Sequence, residues 1–143
     1  MTRPTSAMAT VRAHLLDAHA DLLDTVLVCA DGVADSWDGD ATTDRTAVVD
    51  PFERALGRAG VLDHLPAVLV GAVDALDEEL PAQPVAAPPY VTITSVGPVL
   101  RATLDSGRLV ITIRVFAVER DPTRYVRGPV DPGDALAVEL RSR

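Results

Sequence analysis

Residues 108–120 run through β-branched and apolar side chains without a glycine or proline, which predicts a strand. Alternation divides that strand into two faces. Leu109, Ile111, Ile113, Val115 and Ala117 form an apolar face that needs a core beneath it. Arg108, Val110, Thr112, Arg114, Phe116, Val118 and Arg120 form the other, polar at first and mixed after Arg114. Residues 99–104 predict the partner strand, with a two-residue turn at Ser106-Gly107. That loop pairs Leu104 with Leu109, Ala102 with Ile111 and Leu100 with Ile113, all on one face. It also sets Arg101 across from Thr112 and Arg114 across from Val99. Residues 90–94, 124–127 and 135–141 predict further short strands, the last with Leu136, Val138 and Leu140 inward. Asp121-Pro122-Thr123 and Asp131-Pro132-Gly133-Asp134 predict turns.

The first part of the chain has helical periodicity instead. Met8, Val11, Leu15, Ala18, Leu22, Val26, Cys29 and Val33 recur at alternating spacings of three and four, which predicts one long helix over residues 5–35. Leu16, Leu23 and Leu27 widen its apolar arc to roughly 180°, enough to pack against two neighbours. Asp17, Asp21, Asp24, Asp31 and Asp35 take the opposite side. Residues 36–49 are a polar connector in which Trp37 plugs the helix end. Asp50-Pro51-Phe52-Glu53 has the form of a helix start, with Asp50 as N-cap and Pro51 in the first turn. That helix stops near Gly60. A further helix spans residues 62–80, broken at His64–Leu65 by Pro66. Residues 81–89, rich in Pro and Ala, form a stiff linker.

These elements predict an α+β fold in one domain of residues 1–143. Three or four N-terminal antiparallel helices (1–80) pack on one face of a C-terminal antiparallel sheet of three to five strands (90–143).

Composition narrows the setting. Apolar residues make up 48% of 143, so the chain is globular, and aromatics are only 3%, so Leu, Val, Ala and Ile must build the core. Cys29 is the single cysteine, which rules out an intrachain disulfide. No apolar run approaches the ~20 residues of a membrane span, and residues 1–6 lack the apolar core of a signal peptide. A cytoplasmic protein is expected. All 13 basic residues are Arg, and 16 of the 21 acidic ones are Asp. Asp-rich, Lys-free composition resembles that of halophilic cytosolic proteins, for which a Debye length of ~3 Å at molar salt leaves little self-repulsion; the alternative is a high-GC mesophile such as an actinobacterium, where Arg also replaces Lys. Net charge is −10 over residues 1–89 (5 Arg, 15 acidic) and +2 over 90–143 (8 Arg, 6 acidic), so the helical part is acidic and the strand part is not.

Candidate chemistry is sparse. Arg101, Arg108, Thr112 and Arg114 share the outer face of the hairpin, and an arginine face of this kind can hold carboxylate or phosphate bidentately. Arg120, Arg124, Tyr125 and Arg127 form a second candidate cluster, for an anion or a partner, around the Asp121-Pro122 turn. The sequence argues against nucleic acid. Four released counterions cost roughly 10³–10⁴ in affinity per tenfold rise in salt, and only Tyr90, Phe116 and Tyr125 could stack bases. His14, Asp17 and Asp21 share a helix flank but carry no established metal spacing. Cys29, Ser36, Ser95 and Ser106 lie in no nucleophile motif, and the chain has no lysine for a P-loop or a Schiff base. No metal, cofactor or catalytic residue is assigned.

Residues 88–103, residues 114–127 and the Leu65-Pro66-Ala67-Val68-Leu69-Val70-Gly71-Ala72-Val73 segment together resemble a family of small uncharacterised haloarchaeal proteins of unknown function. The resemblance implies a source and a compartment, and no activity. The pattern as a whole points to a non-enzymatic interaction or binding module, forming a homodimer through the wide helical arc and the apolar positions Val110, Phe116 and Val118. The alternatives are an anion or nucleic-acid binder using the arginine face, and an enzyme of unidentified type.

Overall fold

A computed structural model describes residues 4–142 of the chain. The apolar arc of its first part lies on two helices, not one: α1 (Pro4–Ala18) and α2 (Ala20–Asp35). The break is at His19, whose φ of −124° and ψ of 28° are not helical. Two neighbours explain it. Val11 and Leu15 of α1 are buried where that helix meets the last strand, whereas Leu23, Val26, Ala30 and Val33 of α2 are buried where it meets the third helix. A straight rod cannot point one stripe at both.

The third helix, α3 (Thr46–Arg58), starts before the predicted Asp50 cap, and Pro51 lies inside it. Asp44 is the acidic residue that receives the helix start, its Oδ1 accepting from the Thr46 N–H at 2.9 Å and the Thr46 hydroxyl at 2.7 Å. Pro51 has no N–H to give the carbonyl of Ala47. Trp37 replaces it, its indole N–H donating to that carbonyl at 3.0 Å. The next helix, α4 (Val61–Ala75), follows at an angle of 82°, entered through Gly60 at φ 79°. It runs through Pro66 without the predicted break, because Leu65, Val68, Leu69, Ala72 and Val73 are all buried along it. It ends before Leu80, in a turn with Asp77 at φ 57°.

The strands form two antiparallel sheets instead of one. β2 (Val91–Ile93), β3 (Pro98–Thr103), β4 (Gly107–Ile113) and β7 (Leu136–Ser142) lie in that order in the larger. The smaller holds β1 (Ala41–Thr42), β6 (Arg124–Arg127) and β5 (Phe116–Glu119). The predicted single strand over 108–120 is therefore cut after Ile113. There the N–H groups of Val115 and Phe116 both donate to the carbonyl of Val96, at 2.9 and 3.0 Å. Val115 and Phe116 are both buried, so inward-pointing parity reverses at this point. Phe116, expected on the outer face, packs edge-on to Phe52 at 5.1 Å and against Trp37 at 5.8 Å. It is core, and contributes nothing to an outer apolar patch.

The hairpin turn is Asp105-Ser106, one residue earlier than predicted, with Leu104 and Gly107 exchanging both backbone hydrogen bonds. Pairing is Leu100 with Ile111 and Ala102 with Leu109, two residues from the predicted register. A shift of two preserves the faces. Leu100, Ala102, Leu104, Leu109, Ile111 and Ile113 are all buried, with Leu136 and Leu140 beside them. Asp131 caps a short helix, α5 (Pro132–Ala135), where only a turn was expected; its carboxylate accepts from the Gly133 N–H at 3.0 Å. No single helix among the described residues is long and apolar enough to cross a membrane.

Candidate functional site

The outward side of the larger sheet follows from its register. Arg101 lies opposite Val110, Thr103 opposite Arg108, and Arg108 opposite Arg141. Arg101, Arg108 and Arg141 thus occupy one end of the face, near the β3–β4 turn. Thr112 is half-buried between Val99 and Ala137, four residues and roughly 13 Å along the strand from Arg108. Arg114 lies past the end of β4, its N–H donating to the carbonyl of Ala135 at 2.7 Å, so it does not face Val99. Of the four residues predicted to act together, the structure groups Arg101 and Arg108, and separates Thr112 and Arg114. Arg141 joins them instead. Its place shows only once β7 is known to pair with β4, a long-range fact that no local spacing encodes.

Arg141 donates to Glu139 at 2.9 Å across the exposed surface. Among the described residues no carboxylate lies within 4 Å of the guanidinium of Arg101 or Arg108. Like charges set directly across a ladder destabilise it, so the Arg108–Arg141 pair has a cost that an anion would relieve. Beside the arginines is a groove of ≈ 410 Å³, walled by Leu80, Pro81, Pro89 and Tyr90 and floored by Arg101, Thr103 and Arg108. The wall is fixed at two points. The Arg101 N–H donates to the Tyr90 carbonyl at 2.9 Å. Glu78 accepts from the Ser106 hydroxyl at 2.6 Å, tying the segment after α4 to the hairpin tip. The linker is thus one side of the groove.

The second predicted cluster is not a single site. Arg124 pairs with Glu119 at 2.5 Å, both exposed. Arg127 turns inward, with only 16% of its side chain exposed. It donates to the carbonyls of Val115 (2.5 Å) and Pro129 (2.7 Å), and to Asp31 on α2 at 2.9 Å. Tyr125 is half-buried against the core, and Arg120 is exposed in the turn. Two open clefts flank Arg124, of ≈ 890 and ≈ 750 Å³. Asp38, Asp44 and Asp50 line the first with Arg54 and Arg124, and Asp31, Asp35, Asp40 and Glu119 line the second with Arg124 and Arg127, so both clefts carry charges of either sign. The Thr46 hydroxyl, with backbone N–H groups, holds the Asp44 carboxyl below its ordinary range.

The three histidines, which the sequence sets apart, come together at the α1–α2 break. The His14 and His19 rings are 5.6 Å apart, and the His19 and His64 rings 6.0 Å. The His14 Nε2 is buried without a hydrogen-bond partner and approaches Gly71 of α4. Among the described residues no set of three or more His, Cys, Asp or Glu is placed to hold a metal ion. Burial lowers the His19 pKa from 6.5, and His14 and His64 lower it further. The unfolded chain therefore takes up this proton at a higher pH than the folded one, and stability falls as pH drops below about 6.5. The melting temperature should be lower at pH 5.5 than at 7.5. The His19→Gln variant should lose part of that difference, and only a small part because the ring is partly solvated. An unchanged difference would refute the assignment.

A family model described as Domain of unknown function (DUF7988) matches residues 9–141. The chain belongs to this family. The match takes in α1 from residue 9 onward, the other helices, the linker and all three arginines of the sheet face. No curated protein and no solved structure matches the chain.

Proposed function

We propose that this member of the family is a non-enzymatic protein-interaction module that docks an acidic segment of a partner on Arg101, Arg108 and Arg141. One observation supports it above all: two arginines without a carboxylate partner stand beside a third, in a chain where acidic residues outnumber arginines 21 to 13. An acidic chain that leaves this patch uncompensated has a use for it. Tyr90 and the prolines give the groove an apolar wall against which a peptide backbone can lie. An enzyme is the weaker reading. The Ser36 and Ser106 hydroxyls donate to the Val33 carbonyl and to Glu78, and neither hydrogen-bonds a histidine. The all-arginine, Asp-rich composition supports a cytoplasm of molar salt, where such docking must draw on shape as well as charge.

The test uses an oligo-aspartate peptide and, separately, inorganic phosphate. Peptide at about 100-fold above its Kd should raise the melting temperature by roughly 5–8 °C. The Arg101→Ala/Arg108→Ala double variant should show almost no rise, whereas Arg124→Ala should behave as wild type. An equal rise in the double variant would overturn the proposal. An equal response to phosphate would indicate a free-anion site rather than a peptide site.

A further inference from the structure

The larger sheet has two edges, and they differ. β2 is three residues long; β7 is seven. The direction of each backbone group in β7 follows from the ladder. Leu104 and Gly107 exchange hydrogen bonds, so Leu109 and Ile111 also bond toward β3, and Arg108, Val110 and Thr112 toward β7. The bond from the Arg114 N–H to Ala135 fits the same alternation. Ala137, Glu139 and Arg141 thus bond to β4, leaving the N–H and C=O groups of Val138 and Leu140 pointing off the sheet. Arg12 donates to the carbonyl of Leu136 at 2.6 Å, and also to that of Gly133, covering the start of the edge. No hydrogen bond from another described residue reaches the outward groups of Val138 or Leu140.

An open edge of this kind pairs with another strand unless something blocks it. β7 carries no proline, bulge or inward charge, and among the described residues α1, which packs against it, hydrogen-bonds only its start, through Arg12. Its outward-facing charges are instead self-complementary. In an antiparallel pairing of two copies centred on Leu140, each Glu139 lies directly opposite the partner's Arg141. Centring one residue earlier would oppose Glu139 to itself. We infer that β7 is the pairing edge for a second copy of this chain, joined antiparallel about Leu140 by backbone hydrogen bonds and two reciprocal Glu139–Arg141 contacts. The two larger sheets become one continuous sheet, and the two arginine faces meet on the same side. This holds whatever the arginine face binds.

Light scattering after size exclusion at about 0.2 M KCl, where charge contacts still act, decides it. The wild type should weigh twice 15.1 kDa. Glu139→Arg and Arg141→Glu each place like charges opposite one another, and each should weaken the dimer at least ~10-fold. Combining them restores the match and should restore the dimer. Val138→Pro removes one outward N–H and leaves the β4 ladder untouched; it should be a folded monomer by circular dichroism. A wild type that stays at 15.1 kDa at about 1 mM overturns the inference, as does a dimer that survives Val138→Pro or is not rescued by the double swap.

Discussion

Gly97→Ala should cost about 3–5 kcal/mol, a large share of the total stability of a domain this size. Gly97 has φ 153°, which L side chains rarely adopt. A methyl group there would lie 1.8 Å from the carbonyl oxygen of Ile113 and 3.0 Å from its carbonyl carbon. Both are backbone atoms, so no rotamer change relieves the collision. Moving them would pull Val115 and Phe116 from the Val96 carbonyl, the point where the chain passes from one sheet to the other. Urea unfolding measures the loss. Gly32→Ala on exposed α2 surface is the control, with nothing within 4 Å of the added carbon, and should stabilise by about 0.5–1 kcal/mol. A Gly97→Ala protein as stable as the wild type would mean that this passage is not clamped as described.

Arg127→Ala should destabilise by about 2–4 kcal/mol without touching the arginine face. The guanidinium joins the carbonyls of Val115 and Pro129 to Asp31, so one side chain ties the smaller sheet to α2. Removing it leaves the Pro129 carbonyl without its donor, at about 1–3 kcal/mol, and takes the charged partner from the Val115 carbonyl, which keeps only the Gly128 N–H at 2.8 Å. Arg127→Lys should recover less than half, because an ammonium cannot span the same fork. Arg124→Ala, which breaks an exposed pair with Glu119, should change stability by under about 1 kcal/mol. Comparable losses at the two positions would remove the distinction between a structural arginine and a surface one.

The contrast shows what the chain revealed and what it hid. Alternation placed Leu100, Ala102, Leu109, Ile111 and Ile113 on the inner face even though the turn lies one residue earlier, because face depends on parity and survives a shift of two. It could not show the cut after Ile113. That cut depends on Val96, which meets Val115 and Phe116 only in three dimensions, and a run of β-branched residues looks the same whether or not it changes sheets. Pro51 misled for a related reason. A proline followed by Glu53 resembles a first turn, and the distant donor that makes an interior proline tolerable leaves no local trace. Among the candidate arginines, Arg101 and Arg108 were legible from face and charge. Arg127 and Arg141 were not, since one is turned inward by partners far away in sequence and the other depends on which strand neighbours β4.

Trp37 is the chain's single tryptophan, and its ring touches both the Ala47 carbonyl inside α3 and Phe116 at the head of β5. Tryptophan emission, excited where tyrosine does not absorb, is therefore a one-site gauge of the seam between the acidic helices and the smaller sheet. Separation of those layers would redden the emission even if the arginine-bearing sheet stayed whole, so optical and hydrodynamic readings can report on different halves of the same molecule.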